Sequence, residues 1–220
     1  MGIEERRQRE RDEIREKILD AARDLFVECG FDGVTMRKVA ERIEYSPTTI
    51  YLHFADKETL FRELCRADFA QLSEGFQKLA LIPDPLERLR GCALAYIQFA
   101  VEHPNHYRLM FLTPHPAAPE GEDFAGKGNP NEDAYAFLHQ IVTSAIEAGL
   151  FRPEYSDAHL ICQTLWASVH GVASLEITHK CDVWVCWAPL GERTQTMLNG
   201  ILFGLLQPKA PQHSPQSSKE

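Results

Sequence analysis

Residues 46–61, SPTTIYLHFADKETLF, place hydroxyls at Thr48 and Thr49, a phenol at Tyr51, an imidazole at His53 and an ammonium at Lys57 close together. These are hydrogen-bonding and phosphate-pairing groups. They do not have the spacing of a nucleophile beside its base, and the chain carries no nucleophile elbow, no phosphate-cradling glycine loop and no HExxH. An enzyme is therefore not expected. The other cluster with reactive side chains is THKCDVWVCW, where His179, Cys181 and Cys186 could suggest soft-metal ligands or a redox pair. Cys-x4-Cys with one nearby His lacks a clear fourth ligand, so a metal- or thiol-sensing protein stands as the alternative reading. No cofactor is expected.

The elements that must position the first cluster follow from local chemistry. Ser46 can cap a helix and Pro47 suits its first position, so a helix of about two turns begins at Pro47 and ends before Asp56, which caps the next. A helix that short is marginal alone and must be held by neighbours through Ile50 and Phe54, which leaves its polar face for presentation. Upstream, Thr35 can cap a helix through Met36, Val39, Ala40 and Ile43, with Arg37, Lys38, Glu41 and Arg42 outward. Two short helices across a tight turn form a helix-turn-helix, whose second member enters the DNA major groove.

At these residues the chain resembles the TetR family of transcriptional regulators. The resemblance runs from about Ile14 to Leu64 and rests on GFDGVTMRKVAERI followed by the Thr-Ile-Tyr-x-His-Phe, Asp-Lys-Glu and Leu-Phe pieces of SPTTIYLHFADKETLF. It implies that Thr49, Tyr51 and His53 contact DNA, that Lys57 meets a phosphate, and that Pro47, Thr48 and Leu52 stand where specificity varies. Thymine methyl contacts suit those last three. Arg37 could pair with guanine or clamp a phosphate, with Lys38 beside it. One position departs from the family: the turn reads Ile43-Glu44-Tyr45-Ser46 where a glycine is usual, so Glu44 is expected to carry strain if it adopts a left-handed conformation.

The rest of the chain reads as all-α. Ile14, Ile18, Ala22, Leu25 and Phe26 mark an amphipathic helix over about 10–29 that stops at Gly30, and a long helix runs from Asp56 through Phe76 until Pro83 and Pro85. Further helices are expected at about 84–103, in a short stretch from Pro104, and at about 131–149, 156–178 and 190–206. The sequence thus divides into a helix-turn-helix domain at 1–56 with an N-terminal arm to about residue 10, a connecting helix at 57–83, and a helical ligand-sensing and dimerisation domain at 84–207. HPAAPEGEDFAGKGNPNED (115–133) is expected to be a long mobile loop and 208–220 a disordered tail. The charged N-terminal run is read as a solvated helix extension in preference to a DNA-contacting arm.

In the second domain, AYIQFAVEHPNHYRLMF and LWASVHGVASLE resemble the TetR subfamily named for Trp, His and Gly, here Trp166, His170 and Gly171. The resemblance implies ligand sensing and dimerisation. Trp166 and His170 share a helix face, and Phe99, His103, Tyr107, Met110 and Phe111 could converge on them to form a site for a small, mostly apolar effector. The alternative is that these residues are core, with His170 satisfied internally. The last two long helices are apolar on more than one face, and Leu165, Val169, Val172, Leu198, Ile201, Leu202 and Leu205 are expected to form a homodimer interface.

The 220 residues are 44% apolar with a formal net charge of −9, which does not exclude DNA because binding needs only a local basic surface. No apolar run is long enough to span a membrane, the N-terminus is charged where a signal peptide would be apolar, and the six cysteines form no secreted framework. A cytoplasmic, ligand-responsive dimeric repressor of a palindromic operator in double-stranded DNA is the reading that fits, without a membrane partner.

Overall fold

The computed structural model describes residues 2–116 and 126–208. The expectations for the centre of the 115–133 loop and for nearly all of the tail therefore fall outside the described residues. The helices run α1 (Ile3–Gly33), α2 (Met36–Arg42), α3 (Pro47–Tyr51), α4 (Lys57–Gln77), α5 (Pro85–Glu102), α6 (Pro104–Tyr107), a π-helical turn (Arg108–Leu112), α7 (Ala134–Glu147), α8 (Ala158–His179) and α9 (Leu190–Leu205). Among the described residues the extended pairing amounts to one bridge, Phe151 with Leu206. None of the helices is long and apolar enough to cross a membrane.

Local chemistry sets the boundaries. Thr35, Ser46, Asp56, Asp84, Asp133 and Asp157 each accept a hydrogen bond from a backbone N–H in the first turn of the helix they precede. Gly30 adopts φ 69° and breaks α1 from a last short turn ending at Gly33. α1 starts at Ile3, about three turns before the apolar stripe begins at Ile14, because Arg6–Glu10 and Gln8–Asp12 pairs at i, i+4 support the charged stretch.

Two apolar cores form. The headpiece core gathers Ile18, Ala22, Leu25 and Phe26 of α1, Val39 and Ala40 of α2, Ile50 of α3, Phe54, and Leu60, Phe61 and Leu64 of α4. The body core gathers Leu72 and Phe76 of α4 with inward residues of α5, α7, α8 and α9. Two elements join them. α4 contributes to both cores, and the π turn puts Leu109 into the headpiece core while Met110 packs in the body.

A buried ion pair pins the same junction. Asp68 of α4, only 1% exposed, receives two hydrogen bonds from Arg23 of α1 at 2.9 and 3.2 Å. His106 Nδ1 of α6 lies 3.0 Å from the same carboxylate without hydrogen-bond alignment. Burial disfavours the Arg23 charge, yet Asp68 and Asp20 hold its pKa above the ordinary value.

Candidate DNA interface and ligand cavity

The turn between α2 and α3 is built around Glu44, whose φ is 60°. The Tyr45 N–H donates to the Ala40 carbonyl at 3.0 Å and the Glu44 N–H to the Glu41 carbonyl at 3.3 Å, the paired closure that ends a helix through a left-handed residue. Glu44 thus occupies the position where glycine is usual, and the turn keeps its geometry at the expense of strain.

α3 is anchored by Ile50 and Phe54, both buried, and by the Ser46 cap, whose Oγ accepts from Thr49 N–H at 3.2 Å. Pro47, Thr48, Tyr51 and Leu52 face outward, with Tyr51 56% and Leu52 71% exposed, while Thr49 and His53 are half-buried. Large exposed side chains on this five-residue helix, shorter than the two turns expected, form a presenting face. Thr49 Oγ1 lies 3.0 Å from Ser46 Oγ. Burial, then the charges of Arg11 and Arg15, lower the His53 pKa, so its imidazole is neutral at pH 7 and can donate from one nitrogen.

The cations around this face have intrachain partners. Arg37 pairs with Glu41 at 3.2 Å and Arg42 with Glu28 at 2.8 Å, both on the surface. Lys38 Nζ donates to the Gly33 carbonyl at 2.7 Å. Lys57 Nζ donates to the Phe31 carbonyl at 3.0 Å and sits 4.1 Å from the Phe31 ring centroid, so it closes the last turn of α1. The exposed pairs of Arg37 and Arg42 contribute little to stability and exchange readily for phosphate.

Beside α4 lies a cavity of about 860 Å³. Its walls include Phe61, Cys65, Leu72 and Phe76 of α4, Leu89 and Cys92 of α5, and Leu165 and Val169 of α8, with Arg66, Lys127 and Glu132 among the polar residues. The size and apolar lining match a small-molecule site. The Ser73 hydroxyl, in a residue 2% exposed, also lines it and has no hydrogen-bond partner among the described residues. Burial pushes the Cys65 and Cys92 thiols up to about 12, so both stay protonated and unreactive.

Of the residues expected around a ligand, Phe111 and Trp166 line this cavity, with ring centroids 6.0 Å apart. Phe99, His103, Tyr107, Met110 and His170 do not. Phe99, Tyr107 and Met110 are buried in the core, and His103 Nε2 lies 3.3 Å from Gln71 Nε2. His170 Nδ1 is 2.7 Å from the Tyr107 hydroxyl and 3.1 Å from that of Tyr96, so its polar atom is satisfied inside the protomer. The α4 stripe Phe61, Cys65, Phe69, Leu72, Phe76, at spacings of three and four, is the signal that could have located the cavity wall.

The expected dimer residues also divide. Leu165, Val169, Leu198, Leu202 and Leu205 are buried in the protomer's own core, and Val172 and Ile201 are half-buried against it. Leu165, Val169, Leu198 and Leu202 line the cavity, and the exposed large apolar residues of α8 and α9 are Leu160, Trp166, Leu175 and Phe203. In the THKCDVWVCW segment, Cys181 and Cys186 are exposed free thiols and His179 Nδ1 is 2.5 Å from the Thr178 hydroxyl. Among the described residues no group of three or more His, Cys, Asp and Glu side chains is arranged to hold a metal ion.

Comparison with known proteins matches this architecture in both halves. Residues 18–64 match the model for "Bacterial regulatory proteins, tetR family", and residues 89–185 match a "Tetracyclin repressor-like, C-terminal domain". The HTH-type transcriptional repressor AcnR of Corynebacterium glutamicum is 40% identical over 96 residues, which is 44% of this chain and 45% of that protein. Three AcnR repressors are matched over only 32% to 45% of their own lengths. The repressor KstR2 of Mycobacterium tuberculosis is 27% identical over 70% of this chain and 79% of its own. A solved TetR family transcription regulator from Marinobacter aquaeolei shares the fold, with a TM-score of 0.73 at 20% identity over 92% of this chain and all of that one. With the helix-turn-helix and the C-terminal domain both matched in this order on one all-helical frame, the chain belongs to the TetR family of bacterial regulators.

Proposed function

We propose that this protein is a cytoplasmic, dimeric transcriptional repressor that leaves a palindromic operator when a small, mostly apolar molecule fills the cavity beside α4. One observation carries the reading: the cavity and the headpiece core share a wall. Phe61 and Cys65 line the cavity and belong to the headpiece core, and Phe111 lines it two residues from Leu109, which is buried in that core. A ligand that favours one packing of this wall favours one placement of α3 and thereby shifts the balance between DNA-bound and free forms.

The DNA contacts proposed are those of the outward α3 face. Thr48, Tyr51 and Leu52 meet bases and groove wall, Thr49 and His53 meet phosphates, and Arg37, Lys38 and Lys57 supply backbone contacts. Dimerisation is proposed through the outer faces of α8 and α9, where Leu160, Leu175 and Phe203 are exposed and a Cβ at Gly200 or Gly204 would meet no neighbour. The effector proposed has an apolar body and a polar atom that reaches the Ser73 hydroxyl. The finer likeness to the Trp-His-Gly subfamily, through Trp166, His170 and Gly171, belongs to this proposal too.

The test is to incubate the purified protein with random and genomic duplex fragments at near-physiological salt and sequence what stays bound. A palindrome with half-sites about one helical turn apart is the expected result. Absence of any enriched sequence from a folded dimer would overturn the reading.

A further inference from the structure

The first three turns of α1, ahead of Ile14, stand clear of the headpiece core, and their charges are sorted by face. In helical register the side of α1 that carries Ile18, Ala22 and Leu25 into the core continues N-terminally through Arg15, Arg11 and Arg7, each one turn apart. Glu4 is the one carboxylate on that side, at the tip. Glu5, Asp12, Glu13 and Glu16 lie on the opposite side, with Arg9 among them. The core-facing stripe thus changes from apolar to basic at the point where the headpiece ends.

Arg15 fixes the direction in which the stripe looks. Its guanidinium sits 5.4 Å from the Phe54 ring centroid, at the junction of α3 and α4, and pairs with Glu63 at 2.9 Å. Phe54 follows His53, the last polar residue of the presenting face, with ring centroids 6.5 Å apart. Arg11 stands one turn beyond, near enough that its charge lowers the His53 pKa together with that of Arg15. Arg7 extends the row by another turn of roughly 6 Å. Arg6, Arg37 and Arg42 all hold a carboxylate, whereas Arg7 and Arg11 have none among the described residues.

We propose that the N-terminal turns of α1 form a second DNA-contact element, in which Arg7 and Arg11 clamp backbone phosphates beside the groove wall that His53 meets. This rests on the DNA-binding reading above. The occupant follows from charge: arginines spaced one turn apart along the face of α1 that leads to the end of α3 fit the spaced anions of a duplex backbone, and guanidinium pairs phosphate bidentately. Three of the five arginines in this stretch, Arg7, Arg11 and Arg15, share the recognition side, and they are the ones that form the row. The element adds affinity without adding sequence information, because phosphate contacts position and do not specify.

The experiment compares the full chain with the Arg7→Gln/Arg11→Gln double variant and with Arg6→Gln as control. Binding to a random-sequence duplex and to a duplex from the selected genomic fragments is titrated over about 50 to 200 mM salt. Gln preserves helix propensity, and the helix content of all three proteins is checked by circular dichroism. The double variant is expected to lower the slope of log affinity against log salt by about two per protomer on both duplexes and to leave the ratio of the two affinities unchanged. Arg6→Gln is expected to keep the wild-type slope. An unchanged slope in the double variant, or an equal fall in Arg6→Gln, overturns the inference while the DNA-binding reading stands. A wild-type protein that binds neither duplex overturns both.

Discussion

The Tyr107 hydroxyl lies 2.7 Å from His170 Nδ1, and the Tyr96 hydroxyl reaches the same nitrogen at 3.1 Å while accepting from Trp166 Nε1 at 3.2 Å. This small network ties α5, α6 and α8 together inside the body. Burial alone lowers the His170 pKa, and burial pushes the Tyr96 phenol up to about 12, so every member is neutral at pH 7. Neutral imidazole can accept from Tyr107 through Nδ1; imidazolium cannot. Because the folded value lies below the ordinary one of about 6.5, the unfolded chain takes up the proton first as pH falls. Stability from His170 is therefore complete above about pH 6.5 and is lost as pH falls through the folded pKa. In urea denaturation at fixed protein concentration, His170→Asn should cost stability at pH 7.5, and the gap to wild type should narrow by pH 5.5. A gap independent of pH would show that His170 does not titrate across this range.

The headpiece was legible in the sequence because its determinants are local. A cap at Thr35, Ser46 or Asp56 needs only its own first turn, and the resemblance to a family with glycine in the turn points to Glu44 as the residue to check for a left-handed conformation. The body was legible only as helices. α8 is apolar on several sides, so periodicity shows that Leu165 and Val169 must be covered without showing whether by α5 and α7 or by a partner. In the same way, aromatic and imidazole groups at Tyr107 and His170 fit a ligand site or one another, and only the packing of α6 on α8 decides.

Glu44→Gly should stabilise the protein. A non-glycine residue at φ 60° costs about 1–2 kcal/mol, and glycine returns part of the gain as extra freedom in the unfolded chain. A net gain of about 0.5 kcal/mol is expected, read as a small rise in the denaturation midpoint, with both closing hydrogen bonds at Tyr45 and Glu44 retained. A loss of stability would mean that the Glu44 side chain contributes more than its backbone strains.

Tyr51→Phe removes one exposed hydroxyl and leaves the packing of α3 on Ile50 and Phe54 intact. If that hydroxyl donates to a phosphate, operator affinity should fall by about tenfold, the worth of one hydrogen bond to a charged group. Thr49→Val should act alike, with the dimer unchanged by sedimentation. Equal titration curves for wild type and both variants would remove α3 from the interface.

Ser73→Ala should reverse the usual sign of a buried hydroxyl deletion. Ser73 Oγ is buried at the cavity wall with no partner among the described residues, so its desolvation there has no compensating bond from them. Removing it should raise ligand-free stability by about 1 kcal/mol in chemical denaturation. Any effector that uses the hydroxyl should then bind the variant more weakly. A destabilised variant would mean that the hydroxyl is already satisfied in solution.

Asp68 and Arg23 make the last case, because the buried pair joins the helix that enters the headpiece to the helix that leaves it. Asp68→Asn leaves the Arg23 guanidinium, itself only 7% exposed, facing a neutral amide with Asp20 as its remaining carboxylate. Losing one partner of a buried pair strands the other charge, which costs about 3–5 kcal/mol. Arg23→Met/Asp68→Leu removes both charges and fills the space with apolar atoms, so it should cost less than Asp68→Asn alone. Asp20, largely exposed, simply returns to water. Chemical denaturation of the three proteins reads the order directly. If the double variant is the less stable, the pair contributes net stability at this junction, and α1 is held to α4 by charge and hydrogen bonding in addition to the apolar packing of the headpiece core.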